Sequence, residues 1–291
     1  MAALNPPTLA DALSPADALR TLLRRQVRAV FNDRAKGEAP VVPSPEALFE
    51  PDSPIRMVHA DVVAMMVGGM RALLLQMLHP AALQGVLDHS DFREDVEGRL
   101  RRTARFIAVT TYGHRDEAAR AIAAVNAIHA RVRGTLPNGA PYSATDPRVL
   151  GWVHLAETTS FLEAYLAYGD PGMTPDAQDR YFRQTAVVAG MLGAAPAPRS
   201  RAEAAMLMSE MRNDLRSGPA TREVAAFLLE GSAGRRPGSV MRTLGGAAVD
   251  LLPPFSRTML GLRRPGISVL PALAGTRAMA GIVRWAFAGS R

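Results

Sequence analysis

Cysteine is absent from the 291 residues. That removes disulfides, thiolate zinc sites, iron–sulfur clusters, thiolate-ligated haem and cysteine nucleophiles together. Lysine is nearly absent too: Lys36 is the only one, so 33 of the 34 basic residues are arginine. The net charge of +7 is therefore compositionally skewed, and the arginines run from Arg20 to Arg291 with acids between them rather than in a basic tail. Nucleic-acid binding is not expected. Long unbroken apolar runs are also missing. The longest, Met57 to His79, is interrupted by His59, Asp61, Gly68, Gly69 and Arg71, and falls short of the ~18 uncharged residues of a membrane span. Met1 to Arg20 carries Pro6, Pro7, Asp11 and Asp17 where a signal peptide needs a charged start and an apolar run. A cytoplasmic location is the expectation, with peripheral membrane contact left open. What is present is a chain with 48% hydrophobic and 21% charged residues and a mean hydropathy of +0.01, the balance of a globular protein with a substantial core.

Alanine, leucine, methionine and arginine are frequent, β-branched runs are scarce, and apolar residues recur at three- and four-residue spacing. The expectation is an all-α fold in a single helical domain. Helices are placed near 15–31, 57–79, 80–88, 95–112, 115–133, 146–168, 175–193, 200–216 and 220–230, with several more between 239 and 288. Pro80 fits the first turn of a helix, and Asp146-Pro147 and Thr174-Pro175 have the cap-then-proline order of helix starts. Gly113 and Gly134 read as helix ends. The chain divides into an N-terminal helix and extended lead-in (1–56), a helical core (57–230), and C-terminal helices packed on that core (231–291), after the Gly/Arg-rich break near residue 231.

Six histidines, His59, His79, His89, His114, His129 and His154, are the candidate transition-metal ligands in a chain without thiolates. None has a glutamate three residues before it, which excludes the di-iron carboxylate pattern, and His-Glu-x-x-His is absent. His89-Ser90-Asp91 has the spacing of part of a two-histidine-one-carboxylate iron site, with His129 or His154 as a third ligand; a capping pair explains the same residues. Ile122, Val125, His129, Val132 and Arg133 fall on one helical face, an apolar stripe interrupted by an imidazole and a cation. From spacing alone, a hydrogen-bonded core histidine is the commoner outcome, and an iron ligand is the alternative. Arg99, Arg102, Thr103 and Phe106 share a second face, which reads equally as a solvated basic surface or a half-buried polar patch. His154, Thr158, Phe161, Leu162 and Tyr165 form a third, and Gln76 and His79 lie among Met70, Leu74, Met77 and Leu78.

These residues carry a resemblance. Val125-x-x-Ile128-His129-x-x-Val132-Arg133-x-x-Leu136 resembles the haem-binding helix of the mpaB-type oxygenases and rubber oxygenases (latex clearing proteins), whose pattern is Met-x-x-Leu-His-x-x-Val-Arg-x-x-Leu. Gln76-Met-Leu-His79-Pro80, Asp88-His89-Ser90-Asp91-Phe92, Gly98-Arg99-Leu-Arg-Arg102-Thr103 and Trp152-Val-His154 are similar to other parts of that family, over roughly Val58 to Tyr181.

The resemblance implies a b-type haem in a distantly globin-like helical core, with His129 as the proximal iron ligand and Arg133 at the haem edge. Arg99, Arg102 and Thr103 match the distal Arg-x-x-Lys-Thr order of the rubber enzymes, and Phe106 and His154 are further cofactor contacts. Arg102 stands where those enzymes have lysine; an arginine stays charged and is a poor iron ligand, so it is cast as a hydrogen-bond donor to bound dioxygen or an anion. The family's base is a glutamate upstream of the distal lysine, but His59 to Glu94 contains no other glutamate. His79 or Gln76 is therefore expected to act instead, and rubber cleavage is not expected. The reading is a haem b-dependent oxygenase acting on a hydrophobic small molecule with dioxygen or peroxide. The alternatives are a haem-binding or sensing protein without turnover, and a metal-free helical binding protein.

Overall fold

The computed structural model describes residues 39–90, 96–230 and 238–263, with a few positions between 274 and 282. The helix expected near 15–31, the end of the Asp88-to-Phe92 segment and the Gly/Arg-rich break lie outside the described residues. The expected all-α class holds: apart from one two-stranded hairpin, the described elements are helices.

The apolar run beginning at Met57 is not one helix. It forms α1 (Pro54–Ala60) and α2 (Val62–Gln76), bent by 90° at Asp61. Asp61 adopts an extended backbone and its carboxylate accepts the Ala64 N–H at 2.9 Å, so one residue stops α1 and caps α2. Among the described residues no single helix is long and apolar enough to cross a membrane; α1 and α2 pass by length and composition only as a bent pair. Pro80 opens α3 (Pro80–His89). Then come α4 (Val96–Tyr112) and α5 (Arg115–His129), antiparallel neighbours turned at Gly113, where an added Cβ would lie 2.8 Å from the Val109 carbonyl oxygen.

The helix expected over 115–133 ends at His129. Its last turn closes through the Ala130 N–H on the Asn126 carbonyl. The chain is then captured by β1 (Arg133–Thr135), which pairs antiparallel with β2 (Pro141–Ser143) in the register Arg133↔Ser143. Gly134 is a strand residue rather than a helix end, with the Tyr142 ring 2.8 Å from where its Cβ would stand. Arg133 is thus not on the helical face of His129. After the hairpin, α6 (Pro147–Tyr168) and α7 (Pro175–Met191) start where expected, capped by Asp146 and Thr174. Next come α8 (Arg201–Glu210) with a short 3₁₀ turn, α9 (Pro219–Glu230), α10 (Ser239–Leu251) and α11 (Pro254–Leu260).

The core is built on α2 and α6, which pack along each other, with α10 against α2. Gly68 allows the close α2–α6 approach: a Cβ there would meet Phe161 Cδ1 at 2.7 Å and Phe161 Cα at 2.9 Å. Arg71, only 4% exposed, ties three helices together, donating to the Leu251 carbonyl at 2.9 Å and to Ser160 Oγ at 2.7 Å. The α4–α5 hairpin packs on itself and, through α4, on α1, without a broad interface to α6. That leaves polar side chains of α4 and α6 to meet across interior space.

Candidate functional site

That space is bordered by residues from five helices. His59 on α1, and His154 and Glu157 on α6, lie deep in the protein, yet each keeps partial accessibility. They therefore line a chamber rather than being packed into the core. His154 and Glu157 are three residues apart and share a face of α6. Burial pushes the His154 pKa down to about 4 and the His59 pKa down to about 3, so both rings are neutral. His59 Nδ1 shares a 2.9 Å hydrogen bond with Thr111 Oγ1, and its ring meets Phe161 and Tyr181 edge-on at 5.7 and 6.0 Å. Among the described residues, Nε2 of His59 and Nε2 of His154 are buried without a hydrogen-bond partner, a costly state for a polar atom.

Glu157 is the residue that sequence reasoning missed. Its Oε1 accepts from Gln76 Nε2 at 3.2 Å. Burial raises its pKa to about 7, while the Gln76 hydrogen bond and the Arg99 charge pull it back. Arg99, enclosed near the start of α4, donates from Nη1 to Ser90 Oγ at 3.2 Å; burial lowers its pKa, the like charge of Arg102 lowers it further, and Glu157 raises it. Gln76, Arg99 and Glu157 thus form one electrostatic group reaching across α2, α4 and α6. Tyr181 on α7 closes it: its hydroxyl donates to the Thr158 carbonyl at 3.3 Å, and burial and the Glu157 charge both raise its pKa. The available signal was the placement of His154 and Glu157 on one helical face; the burial that matters could not be read there.

The other expected site residues are distributed unevenly. Arg102 and Thr103 are exposed on α4, and Phe106 is half-buried one turn on. His129 ends α5, half-buried, with Nδ1 buried and unpartnered and its pKa lowered by burial. Arg99 lies 13 residues before the end of α4 and His129 lies 14 residues after the start of α5. At 1.5 Å per residue, each sits roughly 20 Å along its own helix from the Gly113 turn. Arg133 is exposed on β1. His79 is set apart from the Glu157 group. It stands at the N-cap position of α3 without a side-chain cap hydrogen bond and lines a groove with Asp146, Arg148 and Asp214; burial lowers its pKa against the opposing pull of the two aspartates. Gln76 and His79, alternatives in the sequence, therefore point to different places.

His89 is accounted for structurally. Its Nε2 lies 3.2 Å from the Arg133 carbonyl and its ring packs edge-on against Tyr142, so it anchors the β-hairpin to α3. Asp91 lies outside the described residues. Among the described residues, no three His, Asp or Glu side chains gather as a metal-ion site. A haem asks less of the chain, a single axial histidine with a free ring nitrogen. His129 offers one candidate: burial lowers its pKa, the residue is half-buried, and among the described residues its Nδ1 has no hydrogen-bond partner.

No curated protein and no solved structure matches the chain. A family model does, over residues 56–285, described as the catalytic domain of ER-bound oxygenase mpaB/B' and rubber oxygenase. This span takes in most of α1 and all of α2 to α11, the Gln76–Arg99–Glu157 group and His129, and the chain accordingly belongs to the mpaB/rubber oxygenase catalytic-domain family.

Proposed function

We propose that the protein is a haem b-dependent oxygenase that oxidises a hydrophobic small molecule with dioxygen or peroxide, His129 serving as the proximal iron ligand. The observation that carries the reading is His129 itself: a neutral, half-buried histidine whose Nδ1 has no partner among the described residues, in a chain of an oxygenase family. A haem bound there would supply the activation of the oxidant.

The chain's own residues supply binding and electrostatics. Arg99 and Arg102 are permanent cations one turn apart on α4, suited to drawing an anionic or strongly dipolar group toward the hairpin. Thr103 adds a hydroxyl beside them and Phe106 an apolar wall. Arg133, exposed on β1, is the cation assigned to the haem edge. His154 and His59 border the chamber, with the buried rings of Phe161 and Tyr181 packed edge-on against His59 behind it. His79 sits at the groove with Asp146 and Asp214, where a neutral imidazole is placed to pass protons to the surface.

The test is the colour of the purified protein. Expression with iron and a haem precursor is expected to give a Soret band at about one haem per chain, and His129→Ala is expected to lose most of it with the fold intact by circular dichroism. A colourless wild-type protein, or a His129→Ala variant with full haem content, refutes the assignment.

A further inference from the structure

Among the described residues Glu157 is the carboxylate of the chamber, and its surroundings are those of a working base rather than a structural ion. One oxygen of Glu157 is held by the Gln76 amide at 3.2 Å, and among the described residues no side chain hydrogen-bonds to the other. Among the described residues no arginine hydrogen-bonds to Glu157; the nearby cation, Arg99, acts on it electrostatically and donates a hydrogen bond to Ser90 instead. A purely structural glutamate at this depth would be expected in a closed ion pair. Glu157 instead keeps partly accessible surface, on the face of α6 that also carries His154.

We propose that Glu157 is the general base of the chamber, taking the proton of a small protic acid H–X that enters beside Arg99. The H–X bond gives its proton to the free oxygen of Glu157 and leaves its electron pair on X. The anion X⁻ is held by the Arg99 guanidinium, and the neutral carboxyl returns the proton once X has reacted. No electrons change hands in this step. Ligands of this class are hydrogen peroxide and hydrogen cyanide. Gln76 is a positioning residue, fixing the carboxyl through Oε1. The charged and titratable groups around Glu157 are Arg99 and, beyond it, Arg102 on α4, Tyr181 on α7, and His154 on its own helix. Both histidines of the chamber are neutral near pH 7, so the carboxyl is the group there that changes protonation in that region.

The consequence for turnover rests on the haem reading above; the proton on Glu157 does not, so two measurements separate them. In infrared difference spectra between pH 5 and pH 8.5, the protein as purified is expected to show a protonated-carboxyl C=O band. That band should vanish in Glu157→Gln and persist in Glu163→Gln, which alters a partly exposed carboxylate paired with Arg201. In the haem-loaded protein, the rate of hydrogen cyanide binding, followed at the Soret band, is expected to rise through pH 7. It should fall about 100-fold and become pH-independent in Glu157→Gln, with partial recovery in Glu157→Asp. A band that survives in Glu157→Gln, or cyanide binding equally fast in that variant, overturns the proposal. A chain that takes up no haem overturns the oxygenase reading instead, and the infrared band still sustains or overturns Glu157 as the proton holder.

Discussion

Replacing Glu157 by glutamine should change how stability depends on pH, and the sign and size follow from its environment. In the native protein burial raises its pKa from 4.5 to about 7. Between those values the folded state keeps the proton and the unfolded state has lost it. The native state binds more protons, so the Glu157 contribution to stability falls as pH rises through this window and levels off above pH 7. The gap converts to at most about 3 kcal/mol. The buried histidines act oppositely. His59 and His154, held near 3 and 4 against an ordinary 6.5, stay neutral where the unfolded chain would be charged, so their contribution rises with pH and is complete above about 6.5. The wild-type curve alone therefore mixes both trends. The difference between Glu157→Gln and wild type cancels the histidines. Thermal unfolding by calorimetry at pH 5 and pH 8, at equal ionic strength, should show Glu157→Gln gaining on wild type by up to roughly 6 °C, at about 2 °C per kcal/mol for a chain of this size. An offset that is the same at both pH values would refute the idea that Glu157 titrates near neutrality.

Gly68→Ala should cost about 1–3 kcal/mol in urea unfolding, because its Cβ would press on Phe161 at 2.7 Å, against both ring and backbone; an unchanged midpoint would show that the α2–α6 contact yields. Asp61→Ala should cost about 1 kcal/mol by removing the cap on the Ala64 N–H, measured the same way. Tyr142→Phe removes the 2.6 Å hydrogen bond that is the largest cause of the lowered Asp88 pKa. The Asp88 carboxyl should then titrate closer to its ordinary value by NMR, and no movement would mean that Gln84 and His89 suffice.

How much of this was legible depended on how local the cause was. Starts such as Asp146-Pro147, Thr174-Pro175 and Pro80 were readable because a cap and a proline act on their own first turn. The helical class followed from composition and spacing for the same reason. The break at Asp61 was hidden because apolar spacing continues across it while one residue turns the chain by 90°. The end of α5 was overrun because the pairing of Arg133 with Ser143 comes from residues ten positions away and outcompetes further helix. The family motif around His129 was visible as a spacing, although the structure carries it on a helix end and a strand rather than on one face.

The sequence by itself determined the helical class, the exclusion of every thiolate site and the histidines and arginines from which any redox centre must be drawn. The tertiary structure alone decided that Gln76 and His79, three residues apart, serve different places, and that an unremarked Glu157 becomes a buried carboxylate of the chamber. Charge and hydrogen-bonding capacity belong to a residue type, whereas desolvation belongs to a place, and Glu157 acquires its place only when α2, α4 and α7 close around α6.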